Sequence, residues 1–110
     1  MKKIEAIFRP EKLDDVKTAL AENGFFPMTV SDVRGRGAQK GIQLQYRGKM
    51  MEVDLIPKIK IEMVIRDDDV PKVIGTIRAA ARTGKYGDGR IFVLPVELSA
   101  MVRTDEFVSD

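Results

Sequence analysis

Residues 83–93 read TGKYGDGRIFV: three glycines (Gly84, Gly87, Gly89) and an aspartate among cations, just before an apolar run. A second glycine-spaced stretch, GRGAQKG, occupies residues 35–41, with Arg36 and Lys40 between its glycines. Backbone N–H groups left open by glycine, with cations close by, are the equipment of a phosphate nest. Neither spacing is a known fingerprint. TGKYGDGRIFV follows a helical pattern and precedes a strand, the reverse of a Walker loop. The third glycine of GRGAQKG comes one residue late for a dinucleotide motif. Each stretch therefore reads either as a plain turn or as a cradle for a phosphate-bearing ligand. Lys58 and Lys60 add two cations on one face of a strand just after Pro57. They are either a solvated face or, for Lys58, a holder for a carboxylate. Gln39 offers a neutral oxygen able to ligate Mg²⁺. Tyr46-Arg47-Gly48 sits where a loop tip could enter a partner, with the Met50-Met51 pair beside it.

The residue types that are missing narrow the chemistry further. The chain has no His and no Cys, so it has no imidazole base, no thiolate nucleophile and no zinc site of the usual ligands. A hard cation shared with a bound phosphate stays open. Glu62 and Asp88 have no nucleophile or second acid beside them, so no enzyme is expected. Net charge is only +2, yet seven cations stand between Arg34 and Lys60 against Glu52 and Asp54 alone. That stretch is either a solvated loop or a site for anions. A chain of 110 residues makes one domain with one core. No run is long and apolar enough for a bilayer, and MKKIEAIFRP mixes Glu5 and Arg9 into its start, unlike a signal peptide. The expected compartment is the cytosol.

The elements that must position these residues follow from periodicity. IEAIF (4–8) predicts a strand, and residues 12–23 predict a helix through Leu13, Val16, Ala19 and Leu20, with Gly24 ending it. MTVSDV (28–33) predicts a second strand, and residues 35–52, with four glycines and no sustained period, predict a long mobile loop. In LIPKIKIEMVIR (55–66), Ile59, Ile61, Met63 and Ile65 alternate with Lys58, Lys60, Glu62, Val64 and Arg66, and Pro57 suggests an edge or a bent start. Residues 67–84 predict a helix with acids at its N-terminus, Pro71 in its first turn and Gly84 closing it. IFVLPVEL (91–98) predicts a last strand apolar on both faces, and the tail is polar and loosely held. The halves echo at a spacing of 60, as in Leu13/Val73, Ala19/Ala79 and Gly24/Gly84. The expected fold is α+β, a ferredoxin-like βαββαβ with both helices on one face of a four-stranded sheet. The other face then needs a cover, and a second copy of the chain is the economical one.

The stretches MTVSDVRGRGAQKG, YRG, DLIPKIKIE and TGKYGDGRIFV, in this order, resemble the PII signal-transduction proteins of nitrogen control, of the GlnK type. The resemblance runs from MKKIEAIFRPEKLDDVKTAL to Arg103-Thr104. It implies a homotrimer of one domain (1–110), with a regulatory T-loop at 36–54 and a C-terminal segment at 98–110. It implies ATP or ADP in clefts between subunits, the phosphates on Gly87, Asp88, Gly89 and Arg90 with Arg103 reaching in. Adenine would lie near Ile7, Met28, Thr29, Glu62 and Val64, with Gly35 and Gly37 lining the neighbouring side. It further implies 2-oxoglutarate bound through a Mg²⁺ that Gln39 and the ATP phosphates share, with Lys58 pairing a carboxylate and Lys40, Gly41 and Gly87 making backbone contacts. One ligand would then build the other's pocket, a coupling of ~1–3 kcal/mol that is reciprocal. The implied partner is an ammonium transporter whose channel the loop plugs through Tyr46, Arg47 and Gly48, Arg47 entering the pore. Mg-ATP with 2-oxoglutarate withdraws it. No nucleic acid and no direct membrane insertion are implied, only membrane association through the transporter.

The chain departs from the family pattern at several positions. Met51 and Lys49 stand where other members are uridylylated or phosphorylated, so neither modification is expected. Ala38 and Met101 replace two arginines that grip the phosphates. Each such charge-assisted bond contributes roughly 1.5–3 kcal/mol, so triphosphate binding is weakened or ATP/ADP discrimination blunted unless Arg36 compensates. Pro27 replaces a usual glycine. These departures motivate an alternative, a diverged PII protein that senses adenine nucleotides only and acts on a different target. An RNA-binding module of the same element order would need aromatics on its open face, and strand 55–66 has none.

Overall fold

The structure, a computed structural model, describes residues 1–37, 42–46, 49–53 and 55–109. Its elements run β1 (Lys2–Phe8), α1 (Leu13–Glu22), β2 (Thr29–Gly35), β3 (Ile42–Tyr46), β4 (Lys49–Val53), β5 (Ile56–Ile65), α2 (Val70–Ala81), β6 (Gly89–Pro95), β7 (Ser99–Ala100) and β8 (Phe107–Val108). A short 3₁₀ turn leads into each helix, Pro10–Lys12 before α1 and Asp67–Asp69 before α2.

Four strands form one antiparallel sheet in the order β2-β5-β1-β6. Each βαβ half leaves a gap that a strand of the other half fills, which is the ferredoxin-like interlacing expected. Period-two alternation sets the layers. Ile4, Ala6 and Phe8 of β1 and Ile59, Ile61, Met63 and Ile65 of β5 point under the helices and are buried with Val16, Leu20, Val73, Ile77 and Ala81. Register keeps this face in line: Ala6 lies opposite Ile61 on one side and Ile91 on the other.

The second face carries charge at its centre. Glu5 and Glu62 are cross-strand partners, a repulsive pairing that Lys3 resolves by reaching both, at 3.2 and 2.6 Å. Lys60 adds a contact to Glu62 at 3.4 Å. The Lys3 amine is accordingly raised above the ordinary lysine range, chiefly by the hydrogen bond to Glu62. The Glu62 carboxyl is lowered, chiefly by the bond from Lys3. On the edge strand β6, Phe92, Val93 and Leu94 stay 44, 41 and 39% exposed, so the strand is uncovered on both faces within one chain.

Four expectations are corrected. Residues 35–52 are not free of periodicity: β3 and β4 pair antiparallel from Ile42–Val53 to Tyr46–Lys49. The alternation in IQLQY is short and lies between glycines, which hid it. Of the two readings of Pro57, the edge strand falls, since β5 lies between β2 and β1, while its place at the start of the strand holds. The β1 pairing begins only at Ile59, so the proline occupies a part of β5 with one flank open, where a missing N–H costs no ladder bond. Gly84 does not close α2. The helix ends at Ala81, Arg82 is already extended and its N–H donates to Arg78 O at 3.0 Å. The tail, expected polar and loosely held, closes on itself in a short hairpin: Ser99 and Ala100 pair with Val108 and Phe107, and Met101 N–H donates to Glu106 O at 3.0 Å.

Candidate functional site

The loop from Thr83 to Gly89 is built around one carboxylate. Asp88 Oδ2 accepts from the N–H groups of Thr83 and Gly84 at 2.9 and 2.8 Å. Its Oδ1 accepts from the Thr83 hydroxyl and from Arg9 Nε, the latter at 3.1 Å. With four donors on two oxygens, the carboxyl is held far below the usual range. The Thr83 hydroxyl is the largest cause, followed by the two backbone N–H groups and Arg9. Asp88 thus spends its side chain inside the loop, and what it offers a ligand is its backbone.

Gly89 pins this loop to the sheet. Its φ is +113°, and a Cβ there would lie 1.8 Å from Ile7 O, so only glycine lets β6 start flush against β1. Gly87, also at positive φ, carries the cations. Arg9 Nη2 donates to Tyr86 O at 2.7 Å, and Lys58 Nζ donates to Gly87 O. A Cβ on Gly87 would meet Arg9 Nη2 at 3.3 Å and Lys58 Nζ at 3.5 Å, so both cations stand against the same Cα. Burial lowers the Lys58 amine below its ordinary range, and the Arg9 charge lowers it further. An anion arriving here would relieve that repulsion.

The end of the sheet that holds Lys58 also holds the root of the 36–54 stretch, because Gly35 pairs with Ile56 and Val33 with Lys58. Arg9, Lys58, Gly87, Asp88, Gly89 and Gly35 therefore gather at one end, with Gly37 two residues beyond Gly35. Arg90, the partner of Ile7, is exposed beside them. Ile7 is at this end too, its carbonyl against Gly89 and its side chain on the open face. Other expected residues lie further along: Glu62 and Val64 share that face, and Thr29 is the cross-strand partner of Glu62. Glu62 and Val64 stand about 13 and 20 Å up the sheet from Lys58 at 3.3 Å per residue. Met28 packs against the core instead. Arg103 lies between β7 and β8, beyond the end of β6 where Pro95 pairs with Lys2 and Val96 N–H donates to Met1 O at 3.2 Å. That is the opposite end of the sheet from Gly87. Gln39, Lys40, Gly41, Arg47 and Gly48 lie outside the described residues, as does Ala38, and Tyr46 ends β3. Among the described residues no group of three or more acidic side chains could hold a metal ion.

Two residues escaped the reading of the sequence. Arg9 looked like the end of a strand, and only the β1–β6 register brings it to Asp88, 79 residues away. Thr83 carried a local signal, a hydroxyl five residues before an aspartate across two glycines.

Residues 1–106 match the family model described as Nitrogen regulatory protein P-II. Over 106 residues the chain is 53% identical to the nitrogen regulatory protein P-II of Microchaete diplosiphon, covering 96% of this chain and 95% of that one. Identity and coverage are the same for the nitrogen regulatory protein P-II of Klebsiella oxytoca. For the nitrogen regulatory protein P-II 2 of Methanothermobacter thermautotrophicus the identity is 52%, with 96 and 92% covered. The chain belongs to the P-II family of nitrogen regulatory proteins, whose members are typically trimeric signal transducers rather than enzymes, bind adenine nucleotides and 2-oxoglutarate, and act on target proteins. Among the described residues no helix is long and apolar enough to cross a membrane.

Proposed function

We propose that this chain is a cytoplasmic, GlnK-type sensor that binds ATP or ADP and, with Mg-ATP, 2-oxoglutarate, and that controls an ammonium transporter through its 36–54 loop. The observation that carries the reading is the pair Lys58 and Arg9 against Gly87, at the root of that loop. A lysine amine lowered by burial and by the neighbouring Arg9 charge suits a dicarboxylate, and Gly87 and Gly89 open the backbone to phosphates. Lys58 pairs one carboxylate, and Gln39 joins the metal that the nucleotide phosphates and the other carboxylate share. Recruiting Gln39 pulls on the loop, so occupancy is read out as loop shape and Arg47 leaves the pore. The missing arginines at 38 and 101 weaken the grip on the γ-phosphate, and Arg90 and Arg103 carry more of it.

Calorimetry tests this reading. 2-Oxoglutarate titrated into protein saturated with Mg-ATP should give saturable heat that Lys58→Ala abolishes. Absence of heat with the wild type would leave a sensor of adenine nucleotides alone, and unchanged heat in Lys58→Ala would remove that lysine's role.

A further inference from the structure

The helix layer lies on the opposite side of the sheet from Glu5, Glu62 and Phe92, and its two helices carry charge of opposite sign. α1 holds Asp14, Asp15 and Glu22 against Lys17. Lys72, Arg78 and Arg82 stand along α2 and just past its end, with no acid between Val70 and Arg82. All of these side chains are exposed. Among the described residues no ion pair joins these acids to these cations within the chain. β1 and β5 are antiparallel, so the helices that follow them are antiparallel as well. In keeping with this, Lys72 Nζ lies 5.8 Å from the centre of the Phe25 ring, just beyond the end of α1. Glu22 therefore stands level with the start of α2 and Asp15 with its end. Between the helices runs a groove of about 550 Å³, with Ala19, Asn23, Gly75, Thr76 and Ala79 in its lining. A Cβ added to Gly75 would meet nothing within 4 Å. The uncharged polar side chains of the groove are satisfied within their own helices, Asn23 Nδ2 donating to Ala19 O at 2.8 Å and Thr76 Oγ1 to Lys72 O at 2.7 Å. The groove thus offers shape and apolar surface, with charge along its rims.

We propose that this face docks on a second copy of the chain, helix layer against helix layer, about a two-fold axis parallel to the helices. Charge selects the axis. Two like faces are opposed by a two-fold axis that runs either along the helices or across them. An axis across them lays α1 on α1 and α2 on α2, acid against acid and cation against cation. An axis along them lays α1 of each copy antiparallel on α2 of the other. Glu22 of one copy then comes to Lys72 of the other and Asp15 to Arg82, and each pairing occurs twice. Packed helices approach to about 8–10 Å, depending on the side chains at the contact, and Ala19, Gly75 and Ala79 put little in the way. Exposed ion pairs are weak singly, so the contact forms at high protein concentration and low salt. The sheet face stays free for the contact between copies in a trimer, so association through the helix layer adds chains in threes. None of these residues belongs to the Lys58–Gly87 site, and the inference does not rest on the nucleotide reading.

Sedimentation equilibrium of the intact protein tests this at about 0.01 M and about 1 M ionic strength, between which the screening length falls from about 30 to 3 Å. At low ionic strength the mass should rise with concentration above that of the trimer, in increments of three chains. At high ionic strength it should return to the trimer. Glu22→Lys and Lys72→Glu, both at exposed positions, should each hold the mass at the trimer at low ionic strength, because each sets like charges together wherever 22 meets 72. Mixing the two variants in equal amounts restores opposite charge at both meetings and should bring back the heavier species. Gly75→Leu fills the groove while favouring the helix, and it should abolish the heavier species. A wild-type mass that stays at the trimer at low ionic strength would leave the face to solvent or to a different partner and overturn the proposal. Heavier species that persist in either charge variant, survive Gly75→Leu or fail to return on mixing would overturn it as well.

Discussion

Replacing Gly89 by alanine tests how the loop is fixed to the sheet. The added Cβ would lie 1.8 Å from Ile7 O and 2.9 Å from Phe8 Cα, and both are backbone atoms that no rotamer change can move aside. The new residue would also be held at φ +113°, a region that costs an L side chain about 1–3 kcal/mol. Relief requires the start of β6 to leave β1, giving up ladder bonds near the Phe8–Gly89 and Ile7–Arg90 pairs at about 1 kcal/mol each. Together these give a loss of about 3–5 kcal/mol, a large share of the stability of a domain this size. Gly75→Ala is the control. Gly75 is helical, exposed, and has nothing within 4 Å of an added Cβ, so the same change should stabilise by about 0.5–1 kcal/mol through helix propensity. Urea unfolding at matched protein concentration gives both numbers from the midpoints. The reasoning fails if Gly89→Ala falls within 1 kcal/mol of wild type, or if the two variants shift in the same direction.

Three further outcomes follow from the same geometry. The Asp88 carboxyl is depressed in the folded state, so its stabilisation is complete above the unfolded value near pH 4 and is lost as pH falls below it. Asp88→Asn should therefore lower the thermal midpoint at neutral pH and flatten its fall between about pH 5 and 3; parallel curves for the two proteins would refute this. Because Gly35 and Ile56 are cross-strand partners, replacing residues 36–55 by Asn-Gly should close a two-residue hairpin and leave stability within about 1 kcal/mol. Loss of the four-stranded sheet by circular dichroism would show that the excised part supports it. Phe92, 44% exposed in one chain, should contribute about 1 kcal/mol per copy when that remainder is covered, and Phe92→Asp would place a charge there instead, so it should shift the light-scattering mass from trimer toward monomer at micromolar concentration. An unchanged mass would mean that this residue is not at the contact between copies.

The sheet was legible because its strands announce their faces. In β5 the buried Ile59, Ile61, Met63 and Ile65 alternate with exposed or half-exposed neighbours, and the matching series in β1 leaves one register in which both apolar sets meet. The phosphate-loop candidates were legible for a similar reason, since three glycines in six residues are hard to place in regular structure. What stayed hidden was whatever depends on distance along the chain. Arg9 becomes part of the site only through a strand register set by residues it does not touch. Gly84 echoes Gly24 in the first half, and both have φ +87°, yet their surroundings differ. After α1 the chain closes with Phe25 N–H donating to Leu20 O at 2.8 Å, whereas Gly84 N–H is taken by Asp88. The repeat predicted the backbone conformation and not its partner, because the partner lies in the loop where the halves diverge.

The same topology bears on how a complete site arises. β6 leaves the Gly87 end of the sheet at Gly89 and reaches the Met1 end at Pro95, a run of about 20 Å at 3.3 Å per residue. The β7–β8 pair then begins within four residues, and Val108 and Ser109 border the same cavity as Met1 and Asp67. The hairpin based there keeps Arg103 at the end of the sheet away from its own Gly87. If both act on one phosphate chain, two copies supply them, and nucleotide affinity then depends on assembly. Dilution below the dissociation constant of the assembly, or Phe92→Asp, should weaken nucleotide binding even though neither touches Gly87, Lys58 or Arg103. A monomeric variant that binds ATP as tightly as the trimer would instead place the site within a single chain, and would remove Arg103 from it.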